Sequence, residues 1–151
     1  MFLLRVLLLV IHIAAAAVIF AAPLGSVGSL RRALAGGDAA VMRSAAKDAA
    51  VRAGLASAGS LVTLATGLAL IFLMGGFGVV RPQIHAALGL LLLAIGFSLG
   101  FVKPAGRRLG LAALAEPPDK LGFGRELTKL RVGAGVLHLL WTTVLVLMVY
   151  R

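Results

Sequence analysis

The chain has no cysteine among its 151 residues. Disulfides, iron–sulfur clusters, thiolate zinc sites and thiol nucleophiles are therefore excluded. Acidic residues are scarce: five, against fifteen lysines and arginines, which leaves a formal net charge of +10. Asp38, Asp48, Glu116, Asp119 and Glu126 all lie between the most apolar stretches. A proton-coupled transporter built on membrane carboxylates is not encoded. Residues of either charge reach 13%, while hydrophobic residues reach 61%. A soluble globular chain has roughly half apolar and a quarter charged residues, so this surplus must face something other than water. No phosphate-binding loop and no Ser/His/Asp set stands out in the sequence. Met42, Met74 and Met148 are too scattered for a methionine copper path.

What the chain does have is four apolar blocks, each long enough to cross roughly 30 Å of hydrocarbon at about 1.5 Å per residue. The first block could be mistaken for a signal peptide. Its apolar run exceeds a usual h-region, so it reads as a retained helix. The patterning predicts helices over about 2–22, 38–76, 82–102 and 125–150 within a single membrane domain, 1–151. Pro23-Leu24-Gly25 and Lys103-Pro104 read as stops, Asp38 as an N-cap, Gly75-Gly76 as a turn, and Pro82 as a first-turn proline. Strands are excluded, because no block alternates and an open sheet edge cannot be satisfied in lipid.

Twelve of the fifteen basic residues fall in two stretches, 23–52 and 103–131. Such a bias places both stretches in the cytoplasm and both termini outside. The expected architecture is therefore an all-α, polytopic membrane four-helix bundle, N-out and C-out, in the cell (inner) membrane. The expected surroundings are the lipid bilayer, anionic headgroups at the basic loops, and other membrane subunits. Nucleic acid is not expected, since no basic stripe is interleaved with aromatics.

Helices in lipid associate through small residues. Ala56, Gly59, Thr63 and Gly67 form such a stripe on the second helix. Gly89, Gly96 and Gly100 form one on the third, and both read as packing faces inside one bundle. Ionisable groups inside a membrane are costly and are candidates for function. His12 and His138 fall near the middle of the first and fourth helices, and His85 one turn inside the third. His85 shares the face of the glycine stripe, so it should point inward. His138 shares a face with Ala134, Gly135 and Thr142. Small neighbours leave room for a flat ligand, and imidazole suits haem iron. His12 and His138 could then serve as axial metal ligands, with Arg81 near the propionates. The alternative is that each histidine only bonds to a neighbouring helix, at about 0.6 kcal/mol. Arg5 and Arg131 each precede a histidine by seven residues, an echo between helices that run in opposite directions, as in an inverted repeat.

His12 in the first helix, Arg52 leading into Thr66-Gly67-Leu68, Pro82-Gln83-Ile84-His85-Ala86-Ala87-Leu88, and the run from Arg131 to His138 together resemble a group of small four-helix bacterial membrane proteins. The group includes the HemJ-type protoporphyrinogen oxidases, CopD-like copper-resistance domains and uncharacterised relatives. The resemblance implies a b-type haem at His12, with His138 or His85 as second ligand. The functional lysine of the oxidases falls on Ala87, and their aromatic–glycine segment on Ala14-Ala15-Ala16-Ala17. Both departures point away from an enzyme. Three roles follow as expectations: a haem-binding redox or haem-related protein, a non-catalytic subunit of a respiratory or photosynthetic complex, or a copper-related transport protein.

Overall fold

The computed structural model describes residues 2–149, and of residues 22–25 the backbone alone. Tyr150, the expected last residue of the fourth helix, lies outside the described residues. The elements are α1 (Phe2–Gly36), α2 (Ala39–Leu73), α3 (Pro82–Phe97), α4 (Lys103–Leu114) and α5 (Lys120–Val149). A π-helical turn over Ser98–Val102 joins α3 to α4, so the chain folds as four long rods, each long and apolar enough to cross a membrane.

The rod ends follow from backbone chemistry. Asp38 sits in extended conformation before α2, and its Oδ1 accepts from the Ala40 and Val41 amides at 2.7 and 3.0 Å. This satisfies two of the donors that a helix start leaves open. At the far end of α2 the Gly76 amide donates to the Ile71 carbonyl and the Gly75 amide to that of Phe72. That is a Schellman closure. It needs positive φ, here +114° at Gly75 and +88° at Gly76, which glycine adopts without steric cost. Arg5 Nη2 donates to the Leu73 carbonyl at 2.5 Å, placing a cation at the negative end of α2.

Two expected stops are not stops. The helical backbone runs through Pro23-Leu24-Gly25 to Gly36, and the third rod runs through Lys103-Pro104 to Leu114. Pro104 has no amide to give to the carbonyl four residues back. The π turn shifts the ladder by one residue, with the Lys103 amide donating to Ser98. Pro104 thereby enters the first turn of α4, where its missing donor costs little.

These continuations turn the two expected loops, 23–52 and 103–131, into packed helix. A 35-residue rod is about 52 Å long, which exceeds a hydrocarbon layer by roughly 20 Å. The surplus of all four rods gathers at the basic end around its own core. Leu30 and Ala33 of α1 meet Met42, Ala45 and Ala46 of α2, Leu109, Ala112 and Ala113 of α4, and Phe123 and Leu127 of α5. Phe123, Ala113 and Met42 are completely buried. By contrast, only 11–22% of each rod's most apolar stretch is buried. There α1 lies along α2 and α3 lies along α5, with Ile19, Leu91, Ala94, Leu137 and Trp141 joining the two pairs.

The Asp38 cap carries a pH signature. The Val41 and Ala40 amides hold its carboxyl below the usual carboxylate range. A depressed folded-state pKa means that the cap's contribution is fully present above the ordinary carboxylate pKa. It is lost as pH falls through the lower folded value. Asp38→Ala should lower the thermal midpoint at neutral pH. Asp38→Asn should hold most of it and remove the acid-dependent part, which a melting series between neutral and acidic pH checks.

Candidate functional site

His12 is nearly buried, at 9% exposure, in the seam between α1 and α2. Its Nδ1 lies 3.0 Å from Thr66 Oγ1. The Thr66 hydroxyl has one proton and directs it to the Val62 carbonyl at 2.6 Å. With its proton there, that oxygen accepts from the imidazole Nδ1–H of His12. The seam exists because α2 presents small residues there. A methyl group on Gly59 would meet Ile19 Cγ1 at 3.0 Å and the Ala15 carbonyl at 3.1 Å, and one on Gly67 would meet His12 Cε1 at 3.2 Å. The expected stripe on α2 is thus a packing face against α1. Thr63 Oγ1 is buried in the same stripe and has no hydrogen-bond partner among the described residues.

His138 is half-buried on α5 and faces a different neighbour. Its Nδ1–H donates to the Ala134 carbonyl at 3.2 Å, and its ring meets Phe20 edge-on with centroids 5.9 Å apart. Nε2 is buried without a hydrogen-bond partner among the described residues. Beside it is a cavity of about 30 Å³, bordered by Ser60, Ser98 and Trp141, enough for about two water molecules.

His85 does not point inward. It is exposed, its Nδ1–H donates to the Arg81 carbonyl at 3.3 Å, and its ring lies 5.9 Å from that of Phe77. Gly89, Gly96 and Gly100 are exposed with it, and a methyl group on any of them would touch nothing within 4 Å. The buried face of α3 is instead Ala87, Leu91 and Ala94. The physical reason is volume. Leu91 and Ala94 fill the space against Leu137 and Trp141, which a row of glycines would leave void. Gly135 and Thr142, expected beside His138 in the interior, are likewise exposed. Arg81 is exposed at the end of α3.

The three histidines are therefore not brought together. His12 meets α2 at Thr66 and Gly67, whereas His138 meets α1 at Phe20. Eight helical residues separate His12 from Phe20, about 12 Å along the axis. A haem held between two imidazoles does not fit this arrangement, because ligand sites of that class need some 300 Å³ or more and the cavity at His138 offers about 30 Å³. Among the described residues no three His, Cys, Asp or Glu side chains converge to hold a metal ion.

No protein-family model, curated protein or solved structure matches this chain. Its chemistry is read from its own residues. The buried carboxylate of Glu126 was not singled out by the sequence, although its spacing to Lys129 announces an i,i+3 pair. Ser98, where the π turn opens beside His138, carries no such signal.

Two substitutions test this seam. Thr66→Val removes the acceptor that orients His12, so the Nδ1–H signature in ¹⁵N NMR of His12 should give way to a tautomer mixture. Gly59→Leu drives a side chain into Ile19 and the Ala15 carbonyl. It should destabilise the α1–α2 pair by about 1–3 kcal/mol, measured by unfolding in mixed detergent.

Proposed function

We propose that this chain is a four-span protein of the cell (inner) membrane, with its basic end in the cytoplasm, that serves as a non-catalytic helical subunit of a larger respiratory or photosynthetic assembly. The lengths of the four rods support the spans, and the twelve basic residues at one end support the orientation. The observation that carries the role is the empty face of α3. Gly89, Gly96 and Gly100 offer close backbone approach along one side, nothing among the described residues uses it, and His85 stands exposed on the same side. Small-residue faces are where helices associate in lipid, and an ionisable ring on a lipid-facing surface is costly until another subunit covers it.

Ala87 argues in the same direction. At the position where the oxidases carry a functional lysine, this chain has a methyl group with no exposed surface, pressed into the α3 packing face.

In native membranes opened with a mild detergent, the chain should migrate with a much larger complex. The pair Gly96→Leu and Gly100→Leu should release it as a small folded protein, since these positions touch nothing within the chain. Migration of the unaltered chain as a free small protein would sink the proposal. A Soret band in the purified protein that disappears with His12→Ala would restore the haem reading in its place.

A further inference from the structure

The basic end holds a second site, which rests on the four-span reading above but not on the role as a subunit. An open cleft of about 310 Å³ lies where the end of α4 passes the start of α5. Ligand pockets begin at about this size. Four charged side chains border it: Arg108, Arg125, Asp119 and Glu126. Glu126 is the unusual one. Its side chain is 2% exposed. Oε1 accepts from Lys129 Nζ at 2.7 Å and pairs with Arg125 Nε at 3.3 Å. Oε2 is buried and has no hydrogen-bond partner among the described residues. An unsatisfied buried carboxylate oxygen is expensive, and it calls for a donor.

Asp119 is exposed; its Oδ1 accepts from the Gly122 amide at 2.9 Å, capping α5, and its Oδ2 lies close over Gly122. Of the carboxylate oxygens on the cleft's border, Glu126 Oε2 is the buried one and the costliest to leave unpaired. The free donors are on the exposed Arg108 and on the outer nitrogens of Arg125, whose side chain is 73% exposed.

A plain anion in this cleft would meet the Glu126 carboxylate, and a plain cation would meet two guanidinium groups. A molecule with a phosphate at one end and a primary ammonium at the other satisfies both. Guanidinium groups match phosphate oxygens, and an ammonium brings the N–H donors that Oε2 lacks. The depth suits a lipid. Arg108 lies six residues past Val102, and Arg125 seven before Val132, where the apolar stretches end. That is about 9–10 Å beyond the hydrocarbon, within reach of the headgroup layer for a long flexible side chain. We propose that this cleft binds the phosphoethanolamine headgroup of a membrane lipid, with Arg108 and Arg125 on the phosphate and Glu126 Oε2 on the ammonium.

Phosphatidylethanolamine, phosphatidylcholine and phosphatidylglycerol separate the contributions. Choline keeps the positive charge but has no N–H, and glycerol has no charge to offer Glu126. The full-length protein, exchanged into nanodiscs of each lipid pair and released for native mass spectrometry, should retain phosphatidylethanolamine over both others. The preference should be at least about tenfold, the size of one charge-assisted hydrogen bond. Glu126→Gln should abolish the preference over phosphatidylcholine. Arg108→Gln, on an exposed side chain outside the core, should weaken retention of every phospholipid while leaving the helix content unchanged, so its outcome holds even if Glu126→Gln unfolds the basic end. Soluble phosphoethanolamine added in excess separates the sources. Little displacement supports the lipid, and full displacement together with Arg108→Gln sensitivity would move the site to a free phosphoethanolamine. Equal retention of all three lipids, a phosphatidylglycerol preference that Glu126→Gln leaves untouched, or an Arg108→Gln protein that binds as tightly as the original would each overturn the proposal.

Discussion

A backbone amide inside hydrocarbon has no water to turn to, so each crossing segment must close its own hydrogen bonds. The rest of this molecule depends on that constraint. It explains why the chain forms rods of 30–35 residues, why both ends of α2 are capped, and why two prolines fail to end the rods. Asp38 and Gly75-Gly76 supply caps at the two ends of α2. At Pro104 no cap is present and none is needed, because a single π turn restores the ladder.

The same constraint divides the packing into two regimes. At the basic end, water bounds the helices, and apolar burial drives them together around Phe123, Met42 and Ala113. In the apolar half, lipid is as apolar as leucine, and burial gains little. Association there rests on close approach at Gly59 and Gly67 and on the bond from His12 to Thr66. The low burial of the apolar stretches fits a bundle held together at its basic end, with rods long and apolar enough to cross a membrane. It also gives the basic end a structural task, since that core joins the α1–α2 pair to the α4–α5 pair.

The sequence made some of this legible and hid the rest for identifiable reasons. Composition and block length sufficed for four helices, because span length is set by the membrane and not by the chain's own tertiary contacts. Asp38 and Gly75-Gly76 were readable because caps are local. The continuations past Pro23 and Pro104 were not, since whether a proline ends a helix depends on what the neighbouring turns can rearrange. The face of α3 was misassigned for a different reason. Glycine periodicity marks where close approach is available, but Leu91, Ala94 and Trp141 decide which side is filled. The histidines were misjudged in register: depth counted from each helix end puts His12 and His138 level, while the packing pairs His138 with Phe20.

That register decides how the buried imidazoles are to be understood. His12 spends its one proton on a threonine of the next helix, so it ties α1 to α2 in a place where apolar contact would contribute little. His138 spends its proton within its own helix, on Ala134, and therefore ties nothing. Its Nε2 is left facing a small cavity with two serines and an indole beside it. A lone acceptor in an apolar interior costs more than a satisfied one, and a cavity with room for about two water molecules is the cheapest remedy. The π turn opens at Ser98, on the border of that same cavity. The turn that accommodates Pro104 and the space that can hydrate His138 thus meet at one residue, Ser98.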